Sequence, residues 1–153
     1  MLDSFDATLL NEVQRDDSLT AEALTEQVPL SPSAIARRLR RLRADGSIAR
    51  TIALLGPRLL GGRLRALVLV QLNEHADRAG KEALLARLDA AETVQWVLEI
   101  SGEHDFALLL DCRSMDAFVA EAESLLAGSP AVRRYETSFV KRSWKFAPFV
   151  RLG

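Results

Sequence analysis

Residues 30–48 read LSPSAIARRLRRLRADGSI. Ser31 stands directly before Pro32, a hydroxyl that can cap a helix ahead of a ring tolerated at the first helical position. Ile35, Leu39 and Leu42 then recur in steps of four and three, the stripe that a half-buried helix turns toward its core. Gly46 falls where a left-handed helix stop is wanted. With about 100° of rotation per residue and Ile35 as origin, Ser33, Arg37 and Arg41 lie roughly 160–240° away, opposite the stripe. The outward set is Ser33, Ala34, Arg37, Arg40 and Arg41. Arg38 and Arg43 flank the stripe, a position suited either to phosphates or to an intramolecular partner. Ser31, near the helix N-terminus, can cap the helix, meet a phosphate, or do both.

The flanking sequence gives this helix its context. Thr20–Val28 carries Ala21, Leu24 and Val28 on one side and predicts a second helix, joined through a turn at Pro29–Leu30. Phe5, Leu9, Leu10 and Val13 recur at helical spacing before it. Two helices joined by a short turn, the second polar and cationic opposite its core face, form the helix-turn-helix plan, whose second helix enters the major groove of double-stranded DNA. Ile48, Ile52 and Leu54 after Gly46 predict an apolar strand, a wing. Charge agrees locally and not globally. The whole chain carries a net charge of -1, so it has no overall attraction to a polyanion, yet between Ser31 and Arg65 nine arginines (Arg37, Arg38, Arg40, Arg41, Arg43, Arg50, Arg58, Arg63 and Arg65) face only Asp45. A phosphate backbone senses that local surplus.

Gly56–Arg63, GPRLLGGR, interrupts the periodic segments with one proline and three glycines and marks a hinge. The expected organisation is a helix-turn-helix domain over 1–55, a linker over 56–64 and a second domain over 65–153. That second domain alternates strand and helix patterns. Arg65–Asn73 reads as a strand, Asp77–Ala90 as a helix with Leu84, Leu85 and Leu88 inward, and Thr93–Ser101 as a strand with Val94, Trp96, Leu98 and Ile100 on one face. After the turn Gly102–Asp105, Phe106–Cys112 is a strand. Ser114–Ala127 is a capped helix with Phe118, Val119, Ala122, Leu125 and Leu126 inward, and Val132–Trp144 a last strand. The order β-α-β-β-α-β predicts a ferredoxin-like sheet, α+β in class, with the first and third strands central and both helices on one face. Those central strands are apolar on both sides, Ala66, Val68, Val70 and Leu67, Leu69 in the first. One side has no helix to cover it, so a second copy of the sheet is the expected cover and the chain is expected to be a homodimer.

Several function classes find no support. The lone Cys112 cannot close an intramolecular disulfide, and with His75 and His104 far apart in sequence no zinc-type spacing exists. No cofactor or metal is expected. An acid/base pair of His104 and Asp105 would sit on adjacent turn residues beside no nucleophile motif and no phosphate-cradling loop, so an enzyme is not expected. The apolar runs are of strand length and there is no charged-then-apolar leader, which predicts a cytoplasmic protein without a membrane partner.

The segments LDSFDATLLNEVQRD, DSLTAEALTEQVPLSPSAIARRLRRLRADGSIAR and ISGEHDFALLL, in that order along nearly the whole chain, resemble the Lrp/AsnC, or feast/famine, family of transcriptional regulators. The resemblance implies homodimers joined through their C-terminal sheets, often assembled into octamers, which bind promoter DNA and respond to an amino acid or similar small metabolite. It implies DNA contacts from Ser31, Ser33, Ala34, Arg37, Arg38, Arg40 and Arg41. It further implies an effector site between dimers, near the turn that holds Gly102, His104 and Asp105 and near Thr137 and Ser138 of the last strand. His104 departs from the family, which often carries an aromatic residue there, and Pro29 stands where a glycine would be unremarkable. The rival reading is a metabolite-sensing oligomeric adaptor without specific DNA binding; retention on heparin or random duplex, with its salt dependence, separates the two.

Overall fold

The computed structural model describes residues 2–74 and 78–153. His75 and Asp77, the latter the expected start of a helix, lie outside these. The chain divides into two compact units, one gathering the chain up to Leu54 with Lys145–Gly153, the other Leu55–Trp144.

The first unit is helical. α1 (Ser4–Val13) opens with a reciprocal capping box, in which the Asp3 carboxylate accepts from the Asp6 N–H and the Asp6 carboxylate from the Asp3 N–H. α2 is only Ala21–Leu24, capped by Thr20. The predicted helix to Val28 gives way to a tightened turn, because the next amides bond three residues back (Thr25 to Glu22, Glu26 to Ala23, Gln27 to Leu24) and Pro29 cannot continue a helix. α3 (Pro32–Ala44) begins at Ser31, whose hydroxyl accepts from the Ala34 N–H at 3.3 Å, and ends before Gly46 at φ +80°. Ile35, Leu39 and Leu42 are buried as their spacing requires, Ile35 and Leu39 against Leu9, Leu24 and Val28. Each such side chain contributes roughly 1.5–3 kcal/mol of burial.

Two further expectations fail. Residues 49–56 form no strand, and Ile52 and Leu54 are exposed: a strand needs a neighbour to pair with, and none of the described residues pairs with this stretch. The last strand also ends five residues early, and Lys145–Gly153, expected in the second domain, groups with the first unit instead. Asn11 of α1 and Gln14, which caps its C-terminus, hold that segment by exchanging hydrogen bonds with the main chain of Leu152 and Val150 at 2.8–2.9 Å.

The second unit is a four-stranded antiparallel sheet of β1 (Leu64–Leu72), β2 (Val94–Glu99), β3 (Phe106–Cys112) and β4 (Val132–Phe139) in the order β2-β3-β1-β4, with β1 and β3 central as the β-α-β-β-α-β reading requires. α4 (Arg78–Ala90) and α5 (Met115–Ala122) cover one face, burying Ala66, Val68, Val70, Phe106, Leu108 and Leu110. α5 widens at Glu123–Ala127 into a turn closed by the Gly128 N–H on Glu123 O, which lets Leu125 and Leu126 both turn inward. Val119, expected inside, is 46% exposed, since Phe118 and Ala122 occupy the core stripe and Val119 lies about 100° from it.

β2 (Val94–Glu99) carries a bulge. Val94 pairs with Leu110 but Trp96 with Leu109, so Gln95 is the extra residue and the faces exchange there. Val94 and Val97 pack on the core, whereas Trp96 and Leu98, expected on the same face as Val94, emerge on the other. That other face presents Leu67, Leu69, Ala107, Leu109, Trp96 and Leu98 in register across three strands, with Ser138, Glu136 and Arg134 of β4 (Val132–Phe139) at its margin.

Candidate nucleic-acid interface

α3 separates its five arginines into two groups. Arg37 and Arg40 are exposed and, among the described residues, no carboxylate pairs with them; with Ser33 they form the face opposite Ile35, Leu39 and Leu42. Arg38, Arg41 and Arg43 are held. Arg38 Nη1 donates to Asp3 Oδ2 at 2.7 Å and to Asp6 Oδ1 at 2.8 Å, and its guanidinium lies 5.6 Å from the centre of the Phe5 ring. Arg41 Nη2 donates to Asp6 Oδ2, and Arg43 Nη2 donates to Asp17 Oδ1 at 2.8 Å. Of the two uses open to Arg38 and Arg43 on sequence, the structure displays the intramolecular one.

Asp6 is the centre of this arrangement and is fully buried. Burial pushes its pKa up more strongly than any single partner pulls it down, yet the hydrogen bonds from Arg38, Arg41 and the Asp3 N–H together hold it below the ordinary 3.8. Asp3 is lowered first by the Asp6 N–H and then by Arg38. Arg38 is raised in return, by Asp3 and then Asp6. The helix start is likewise occupied: Ser31 caps, its Oγ 3.2 Å from Ser33 Oγ, while Ser33 is exposed and Ala34 half-buried.

Counting charge along the sequence therefore overstated the exposed surplus. Arg63 too is taken, by the side chain and carbonyl of Asp111. The residues missed were Asp3, Asp6 and Asp17, which reach α3 from the N-cap of α1, from α1 itself and from the segment after it. The Asp3-x-x-Asp6 capping spacing was the available signal.

The turn after β2 is built tightly. Gly102 sits at φ +134°, the Ile100 N–H donates to Asp105 O at 2.9 Å, and the Asp105 N–H donates to Val70 O at 2.9 Å. Asp105 Oδ2 accepts from the Leu72 N–H at 2.7 Å, so this carboxylate pins the hairpin to the end of β1. The His104 side chain is 11% exposed, and its Nε2 lies 3.7 Å from Glu136 Oε1 with no hydrogen-bond partner among the described residues. Arg134 joins the same margin, donating to Gln71 at 2.9 Å and to Glu103 at 2.8 Å. Gln71, Arg134 and Glu136 were not foreseen, and Glu103 only as a residue of the turn; the alternation of Arg134 and Glu136 along the strand was the available sign.

Thr137 and Ser138 are placed differently. Thr137 pairs with Val68 on the helix-covered face and Ser138 with Leu67 on the open one. Ser138 is thus three residues down β1 from the Val70 carbonyl that holds the turn, about 10 Å along the strand. Within one chain the turn and these two hydroxyls do not converge.

Among the described residues, no group of three or more His, Cys, Asp or Glu is placed to hold a metal, and no helix is long and apolar enough to cross a membrane. Burial pushes the Cys112 thiol above its ordinary pKa.

Residues 2–43 match the AsnC-type helix-turn-helix domain and residues 65–148 the Lrp/AsnC ligand binding domain. The chain is 31% identical to an HTH-type transcriptional regulator of Haemophilus influenzae over 140 residues, 91% of this chain and 82% of that one. It is 31% identical to the leucine-responsive regulatory protein of Escherichia coli K12 over 144 residues, 94% of this chain and 87% of the other. Its fold is similar to that of a transcriptional regulator from Neisseria meningitidis solved in complex with L-Met, with TM-score 0.86 and 28% identity over 100% of this chain and 97% of that one. The chain belongs to the Lrp/AsnC family of DNA-binding transcriptional regulators.

Proposed function

We propose that the protein reads promoter DNA as a homodimer through the outer face of α3, with Ser33, Arg37 and Arg40 leading, Ala34 and Arg41 at the edge of the contact and Arg38 reserved for the fold. The observation that carries this reading is the division of the arginines: Arg37 and Arg40, opposite the buried stripe, have no acidic partner among the described residues, whereas Arg38 and Arg43 on its flanks and Arg41 at the edge of the outer face do. Free, planar guanidinium groups on a helix face suit guanine edges and phosphates. The apolar face formed by Leu67, Leu69, Leu109, Trp96 and Leu98 is the proposed dimer surface, and higher assembly to octamers follows the family pattern. The reading is of a cytoplasmic regulator that catalyses no reaction.

The effector is an amino acid, held at the turn Gly102–Asp105. Asp105 Oδ2 serves the Leu72 amide, which leaves Oδ1 for a ligand ammonium, and turn amides face its carboxylate. Ser138 and Thr137 lie too far along β4 to complete this site from the same chain, so they act from a neighbouring protomer. L-Met in the Neisseria meningitidis relative supports this ligand class. The test is selection of bound genomic fragments, repeated with a panel of amino acids that includes L-methionine. Enrichment of a shared inverted repeat, altered by at least one amino acid, is expected; sequence-independent recovery would overturn the reading.

A further inference from the structure

We propose that Asp6 is a positioning residue for DNA recognition: from inside α1 it fixes Arg41 and withdraws Arg38, so that discrimination between sequences depends on a carboxylate that never touches DNA. The inference rests on the reading that the outer face of α3 meets DNA. Its own evidence is the geometry around one buried group. Asp6 has no exposed surface, yet both its oxygens are aimed across at α3, Oδ1 at Arg38 and Oδ2 at Arg41. The two arginines differ in what remains to them. Arg38 is 22% exposed and shared between two carboxylates and a ring, whereas Arg41 is 50% exposed and tied to Asp6 through a single nitrogen.

A guanidinium anchored at one corner keeps its other N–H groups in a fixed fan, since the group is planar and rigid. Such a side chain loses less conformational freedom when it docks, and it favours a base or phosphate at the one place its fan reaches. The anchoring carboxylate also subtracts charge beside the helix, which weakens indiscriminate attraction to phosphate. Both effects raise the ratio of operator to random binding. Asp6→Asn keeps the shape, and Asp3 still caps α1 with its own carboxylate. It leaves one acceptor oxygen in place of two, which weakens the grip on the arginines, and it removes the charge.

The measurement is affinity for a genomically selected operator duplex and for a random duplex of equal length, across several salt concentrations, for the full chain and variants. Asp6→Asn is expected to bind random duplex more tightly and to lose about fivefold or more in the operator-to-random ratio. In an Arg41→Gln background it should change the ratio little further. A purely structural role predicts the opposite pattern, equal weakening on both duplexes. An unchanged ratio in a folded Asp6→Asn protein, or an equal drop with and without Arg41, would overturn the proposal. If Asp6→Asn does not fold, Arg41→Lys replaces it: a lysine can reach Asp6 but presents no fan, so the ratio should fall, and a preserved ratio refutes positioning. Arg37→Ala and Arg40→Ala are run alongside. If neither alters either affinity, the face reading fails and this inference with it; if they weaken binding while Asp6→Asn leaves the ratio alone, only the inference fails.

Discussion

At the scale of single residues, the arginines of α3 are distinguished by their partners, and partners are what a linear reading could not supply. Arg38 and Arg41 are i, i+3 neighbours, and both turn toward Asp6, a residue more than thirty positions earlier in sequence. Arg38→Ala should therefore lower the thermal stability of the protein, since it strips Asp3 and Asp6 of a shared donor, while the folded variant keeps near-normal affinity for random duplex; paired melts and binding titrations check this. The acids set a pH dependence as well. Asp3 and Asp6 have folded pKa values below the ordinary 3.8. Their contribution to stability is thus complete above that value and is lost as pH falls through the folded values. Urea unfolding of wild type should show an acid limb below about pH 4, and Asp6→Asn should flatten it; an identical limb in both would assign the acid sensitivity to other carboxylates.

At the scale of elements, what could be read was what local chemistry decides. Ser31-Pro32, the stripe of Ile35, Leu39 and Leu42, and Gly46 each act within a few residues, and α3 runs between the limits they set. Ser31→Ala should cost about 1 kcal/mol of stability through the lost cap, measured by denaturant titration, with DNA affinity changed no more than the folded fraction. A larger loss of affinity would return Ser31 to the phosphate contacts. Strand faces were less legible. Period-two alternation in Thr93–Ser101 is continuous on paper, yet one extra residue at Gln95 exchanges the faces and brings Trp96 out beside Leu109. The segment after β4 alternates apolar residues too, but Pro148 lacks the amide a ladder needs, and Asn11 and Gln14 capture its backbone instead. Surface amides on a helix carry no positional signature of that task.

At the scale of the molecule, domain order and sheet topology followed from the succession of element types, and the doubly apolar β1 and β3 correctly announced a face that the helices do not cover. The proposed effector site was the least legible part. Gly102 and Asp105 are ordinary turn formers, and the structure gives Asp105 a structural bond while separating the turn from Ser138. A site shared between protomers, as proposed above, would leave each chain with half a pattern. Leu69→Glu or Leu109→Glu should place a charge on the open face and yield a folded monomer by sedimentation, with operator affinity lost in parallel. A monomer that still binds the operator tightly would break the link between dimerisation and recognition. The most direct test of the account is the salt dependence of operator binding by wild type and by the double variant Arg37→Ala, Arg40→Ala. The account predicts weaker binding by the variant, with a slope of log affinity against log salt shallower by up to about two and relaxed preference for the operator. Unchanged affinity and slope in a folded variant would contradict it.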